Sequence, residues 1–238
     1  ISPIGNSSTD LWDSLSQQKS GVRLLSNLPT EHFPSDFGGE CTDFTGSIDS
    51  FGPLEKKLQR SIKKGLRLMC REIQLGAAAA QLALANSGLD SGSIDPSRIG
   101  TLFGSDYIIT SPLDFVEGIR ACLDQDEKFS FDKWAEHGLP KVEPLWLLKY
   151  LPNMPASHVA IYNDLRGPSN SITVREASAN LAIAEATTII KRGSADFMVA
   201  GSTGSRIHPL RTVHIAIQEQ LANRHTESAG GDPTKACR

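Results

Sequence analysis

The sequence predicts an α/β fold with a mixed, mostly parallel sheet flanked by helices. Two observations carry that expectation. Short apolar runs at 99–105 (IGTLFGS), 171–174 (SITV) and 196–202 (DFMVAGS) have the length and β-branched or aromatic content of buried strands. Segments of helical period separate them, and strands alternating with helices build parallel sheets.

The elements follow in chain order. Thr9 can cap a short helix running to Lys19, with Leu11 and Leu15 on one face and Gly21 as its stop. Residues 28–53 are rich in Pro, Gly, Ser and Asp with scattered Phe, which predicts a long surface loop. Leu58, Ile62, Leu66, Met69, Ile73, Ala77, Ala80 and Leu84 recur at steps of three and four. They predict one long amphipathic helix over 58–84, bent at Gly65 and closed by Gly88. After the strand at 99–105, Ser111-Pro112 opens a helix on which Leu113, Val116, Ile119 and Leu123 share a face. Residues 129–155 are aromatic and Pro-rich without a clean period. The strand at 171–174 runs almost directly into an Ala/Ile-rich helix over 177–192, whose last turn carries Lys191 and Arg192 before Gly193.

Composition narrows the function. The 238 residues hold 24 Lys+Arg against 27 Asp+Glu, a formal net charge of −3, so no general field favours nucleic acid or an anionic membrane. The longest low-polarity run, 76–85, is too short to span a bilayer and is interrupted by Gln81. No signal peptide is visible at Ile1-Ser2-Pro3-Ile4-Gly5, and a cytoplasmic setting is expected. Cys41, Cys70, Cys122 and Cys237 form no C-x-x-C pair, and they are expected as buried or incidental thiols in a reducing compartment. The six histidines do not cluster at zinc-ligand spacing, so no metal is expected. Glycine-rich phosphate motifs are absent, so no nucleotide cofactor is expected either.

Chemistry is concentrated at the junction 171–180, SITVREASAN, where a strand ends at a helix N-terminus. Free N–H groups and the helix dipole converge at such points in α/β folds. A hydrolase elbow would read G-x-S-x-G, but both glycines are missing around Ser178, so that serine is not assigned as a nucleophile.

These residues belong to a wider pattern. Leu165-Arg-Gly-Pro-Ser-Asn-Ser-Ile172, a small-residue helix and Ala195-Asp-Phe-Met-Val-Ala-Gly201 follow in order. They are joined by Ile1-Ser-Pro-Ile-Gly5 with Leu11-Trp12, by Ile99-Gly100 leading to Gly104-Ser105, and by Pro152-Asn153-Met154 before Ala156-Ser157-His158. The chain thereby resembles the β-ketoacyl-(acyl-carrier-protein) synthases of fatty-acid and polyketide assembly. The resemblance runs from Ile1 to about Asn223-Arg224, and residues 1–238 are read as one synthase N-terminal-like domain. It implies a thiolase-like layered fold of which this is the N-terminal half. The half's first strand and the second half, with its two catalytic histidines, are expected to lie outside these residues.

The resemblance also implies a site. In the family a cysteine at the start of the small-residue helix carries the acyl chain, activated by the helix dipole and held by backbone N–H groups. Counting from Gly167-Pro168-Ser169 places that position at Glu176. Arg175 replaces a small residue before it, Ala179 a glycine after it, and Gly204 sits where a glutamate is common. Gly104, Ser105 and Asp106 stand at the family's glycine-rich substrate turn, shortened here. Asn170, Ser171, Ile172, Thr173 and Val174 fall on the strand that meets its symmetry mate in a dimer, and should be buried on both sides. A carboxylate is a poor acyl carrier, because its acyl form is a reactive mixed anhydride, so condensation by this chain alone is not expected. Other readings are a non-catalytic dimerisation partner resembling a chain-length factor, or a malonyl-carrier decarboxylase completed by a C-terminal half. The implied partners are an acyl carrier protein and a second synthase-type chain, identical or not.

Overall fold

The computed structural model describes residues 1–31, 33, 35–89, 91–218, 232 and 234. Cys237, Asn223 and Arg224 lie outside the described residues.

Helix α1 (Ser8–Ser16) is capped by Ser7 rather than Thr9. The Ser7 hydroxyl accepts from the Asp10 N–H while the Asp10 carboxylate accepts from the Ser7 N–H, a reciprocal capping box that satisfies two orphan donors. The helix stops before Lys19, and Leu11 and Leu15 are exposed rather than buried. The segment 28–53 also departs from the expected loop. It contributes β2 (Phe37–Gly39), antiparallel to β1 (Val22–Leu24), and a 3-10 turn over Ile48–Phe51. Three of its four phenylalanines are anchors: Phe37, Phe44 and Phe51 are buried, and Phe33 is half-buried. Loop-like composition hid their packing role.

The periodic stretch 58–84 is two helices, not one. Helix α2 (Lys56–Gly65) passes through a 3-10 turn (Leu66–Leu68), and α3 (Arg71–Asn86) begins after an extended break at Met69 and Cys70. Gly65 is helical, and a Cβ there would collide with the Tyr162 hydroxyl, so close approach rather than a bend requires glycine. The apolar spacing survives because both helices bury the same side. Ile62, Met69, Ile73, Ala77 and Ala78 form one core cluster with Phe44 and Phe51.

Strands β3 (Ile99–Ser105), β4 (Ser169–Thr173) and β5 (Phe197–Thr203) form a parallel sheet in the order β4-β3-β5. Only β3 is central, and all seven of its residues are buried, as a continuously apolar parallel strand should be. Alternate β3 residues serve two layers. Ile99 and Phe103 pack in a cluster with Ala80 of α3 and with Ala156 and Val159 of α5 (Met154–Asn163). Leu102 packs with Ala182 and Ile189 of α6 (Ser178–Lys191) on the other face. Arg98 clamps the sheet's starting end, its Nε donating to Asp196 at 3.0 Å and its Nη1 to the Gly193 carbonyl at 2.7 Å.

In the chain by itself β4 is an edge strand: Asn170, Thr173 and Val174 are exposed, Ser171 and Ile172 are half-buried, and Val174 lies past the strand's end, so the side expected to meet a symmetry mate is its outer edge. Two further expectations are corrected. The helix after Ser111-Pro112 is a 3-10 turn (Pro112–Asp114) followed by the single-turn α4 (Val116–Arg120), and Leu113 and Ile119 are exposed. Cys70 caps α3 from outside and Cys122 follows α4, so neither thiol rides within a helix. Helix α5 and the final described helix α7 (Pro209–Gln218) were not legible in the sequence. No helix among the described residues is long and apolar enough to cross a membrane.

Candidate functional site

The C-terminal end of β3 and the N-terminal end of α6 meet backbone to backbone. An ideal Cβ on Gly104 would lie 2.5 Å from the Ser178 carbonyl carbon and 3.0 Å from the Ala179 nitrogen, so only glycine lets the helix start this close. Ser178 then staples the strand-to-helix turn. Its hydroxyl donates to the Ser105 carbonyl at 2.8 Å and accepts from the Val174 N–H at 2.9 Å. With 2 % of its surface exposed and both bonds internal, Ser178 is structural.

Between β4 and α6 the chain makes a 3-10 turn, Arg175–Ala177. Arg175 has φ +56°, in the left-handed region that disfavours side chains with a Cβ, a strain of about 1–3 kcal/mol. This conformation turns Glu176 into position two residues before the helix. The Glu176 side chain is 66 % exposed and pairs with Arg206, from the loop between β5 and α7. Its own backbone N–H, then the Arg206 guanidinium and the nearby Arg175 charge, hold the carboxyl below its ordinary range.

Gly104, Ser105 and Asp106 do share a pocket with Glu176, a cavity of about 270 Å³ that Arg175, Ser178, Gly204, Arg206 and Arg211 also line. Asp106 is committed to a buried ion pair with Arg211 of α7, with 12 % and 7 % of the two side chains exposed. Arg211 also donates to the Tyr107 carbonyl at 3.2 Å and lies over the Tyr107 ring, and the Tyr107 hydroxyl shares a 2.6 Å hydrogen bond with His214 Nδ1. Helix α7 is thereby locked onto the loop after β3. Asn170, Ser171, Ile172, Thr173 and Val174 are not in this pocket's lining. Sequence reasoning missed Arg206 and Arg211, whose distance along the chain from Glu176 and Asp106 conceals the pairing. A larger cleft of about 880 Å³, lined by Pro3, Phe37, Leu75 and Ile215 among others, meets the small pocket along residues 202–206. The small pocket holds the convergent charges and the helix N-terminus, and is the candidate site.

Comparison with known proteins places the chain. The family model described as "Beta-ketoacyl synthase, N-terminal domain" matches residues 1–237. The chain is 28% identical over 238 residues to a 3-oxoacyl-[acyl-carrier-protein] synthase 2 of Vibrio harveyi, covering all of this chain and 50% of that protein. It is 27% identical over 239 residues to the chloroplastic 3-oxoacyl-[acyl-carrier-protein] synthase I of Arabidopsis thaliana, covering 45% of it. The chain thus spans about half the length of the curated relatives it matches. Among solved structures, the ishigamide ketosynthase/chain length factor aligns with a TM-score of 0.68 at 16% identity, over 93% of this chain and 49% of that one. A type II ketosynthase solved with its acyl-carrier protein aligns at 0.64 and 17% identity, over 92% and 52%. These two share the thiolase-like α/β fold expected from the sequence. The chain belongs to the β-ketoacyl synthase family and matches its N-terminal domain.

Proposed function

We propose that this chain is a synthase-like subunit that does not carry the acyl chain itself, and that it works as the dimerisation partner of a second synthase-type chain, identical or not. The observation that carries the reading is Glu176. By motif count it takes the position of the acyl-bearing cysteine, and it stands as an Arg206-paired carboxylate two residues before α6. The described cysteines, Cys41, Cys70 and Cys122, belong to other segments. Burial raises the Cys41 and Cys70 thiols, the opposite of what an acyl carrier needs.

Assembly is supported by the unpaired outer edge of β4. An open strand edge with an exposed apolar side chain at its end, here Val174, is a template for strand pairing and burial. An acyl carrier protein is proposed as a further partner. Lys56, Lys57, Arg60, Lys63 and Lys64 crowd the exposed surface of α2 with no ion pair among the described residues, a face suited to an anionic, phosphate-bearing partner.

The test has two parts. Glu176→Cys should give a thiol whose peptide-resolved alkylation rate reports a pKa well below the ordinary ~8.5, because the helix N-terminus belongs to the backbone and survives the change. A value at or above ~8.5 refutes the placement of the family's site. Sedimentation at micromolar concentration should show a dimer, and a clean monomer refutes the assembly with itself.

A further inference from the structure

A glutamate in this position, taken alone, makes the site acidic. The structure reverses that sign. Three arginines, Arg175, Arg206 and Arg211, line the same 270 Å³ pocket as the two carboxylates of Asp106 and Glu176, a formal charge of +1 among the described residues. The cations are not equally committed. Arg211 is held by Asp106 and the Tyr107 carbonyl, with 7 % of its side chain exposed, yet among the described residues its Nε has no hydrogen-bond partner. A buried guanidinium N–H without an acceptor is costly unless something else supplies one. The Glu176–Arg206 pair is different, since the two side chains are 66 % and 48 % exposed, and ion pairs this wet are weak and easily exchanged. Arg175 is exposed beside Glu176, and α6, a helix of 14 residues, starts at the pocket wall without a side-chain cap.

We propose that this pocket binds a small free dicarboxylate, and that Glu176 is its tethered competitor. The Glu176 carboxylate already shows how a carboxylate sits on Arg206. An incoming carboxylate replaces it there, gains Arg175 from the side and places its second carboxylate toward the Arg211 and α6 end. Gly204 keeps the wall open, since nothing lies within 4 Å of where a Cβ would stand. At ~30 Å³ per water, the cavity holds about nine waters, room for a four-carbon diacid. Planar carboxylates suit guanidinium groups, which donate in a fork, better than they suit a lysine. The inference does not rest on the assembly proposed above. It asks only for the charges and the cavity.

The experiment is calorimetric titration of the full chain with succinate at fixed ionic strength, with neutral succinamide and inorganic phosphate as comparisons. Wild type should bind succinate and not succinamide. Glu176→Gln, which removes the competitor and one negative charge, should bind succinate roughly fivefold tighter or more. Arg206→Gln and Arg175→Gln should each weaken it by a similar factor; Arg175, exposed and outside every described ion pair, serves if Arg206→Gln fails to fold. Succinate binding that is unchanged or weaker in Glu176→Gln, or indifferent to Arg175→Gln, overturns the proposal. Phosphate binding as tightly as succinate overturns the assignment to a carboxylate. A dimer seen by sedimentation with no succinate binding would sink this inference and leave the assembly standing.

Discussion

Replacing Gly104 by alanine tests whether the β3–α6 contact sets the geometry of the site. The new Cβ would stand 2.5 Å from the Ser178 carbonyl carbon, roughly 0.9 Å short of ordinary contact at 3.4 Å. The atoms it meets are helix backbone, which cannot rotate away as a side-chain tip can. Gly104 has no left-handed φ, so steric conflict alone is at issue. Overpacking of this kind costs ~1–3 kcal/mol, and alanine returns ~0.4–1 kcal/mol by restricting the unfolded chain. At the middle of those ranges the net loss is about 1.3 kcal/mol, and contact with helix backbone puts it in the upper half, up to ~2.6 kcal/mol. Urea unfolding should show a lower midpoint with an unchanged slope, and amide exchange should quicken in the first turn of α6. Gly201→Ala is the control, because its Cβ would meet the Phe103 ring at an ordinary 3.8 Å, so the unfolded-chain term stands alone and stability should rise by ~0.4–1 kcal/mol or stay level. A Gly104→Ala protein as stable as wild type, with unaltered exchange at α6, refutes the argument.

Two further outcomes follow from the same structure. Ser178→Ala leaves the Val174 N–H and the Ser105 carbonyl without their partner, and should cost ~1–3 kcal/mol in urea unfolding while far-UV circular dichroism is kept. His158 is buried against Tyr162 at a ring separation of 5.5 Å, with its Nε2 unpartnered among the described residues, and burial lowers its pKa. Its contribution is complete above the unfolded value of ~6.5 and is lost as pH falls below it towards the lower folded pKa. The melting temperature should therefore decline between neutral and mildly acidic pH, and His158→Gln should flatten that decline.

The sequence alone determined the elements whose side-chain pattern is repeated and local. Ile99–Ser105 reads as a buried strand because every residue in it is small or apolar, and α6 reads as a helix because its Ala and Ile residues keep helical spacing. The proposed assignment of Glu176 to the acyl-bearing position came from motif counting alone. Three things were decided only in the folded chain. The break at Met69 and Cys70 was invisible because two helices sharing one buried side keep one continuous apolar period. Phe44 and Phe51 looked like loop residues because loop composition reports the backbone's surroundings and not where a single aromatic ring is buried. Above all, the electrostatic sign of the site depends on Arg206 and Arg211. They lie 30 residues beyond Glu176 and 105 beyond Asp106 respectively, and reach them only once β5 is placed beside β3. Charge pairing depends on distance in space, and only the parallel sheet brings these groups together.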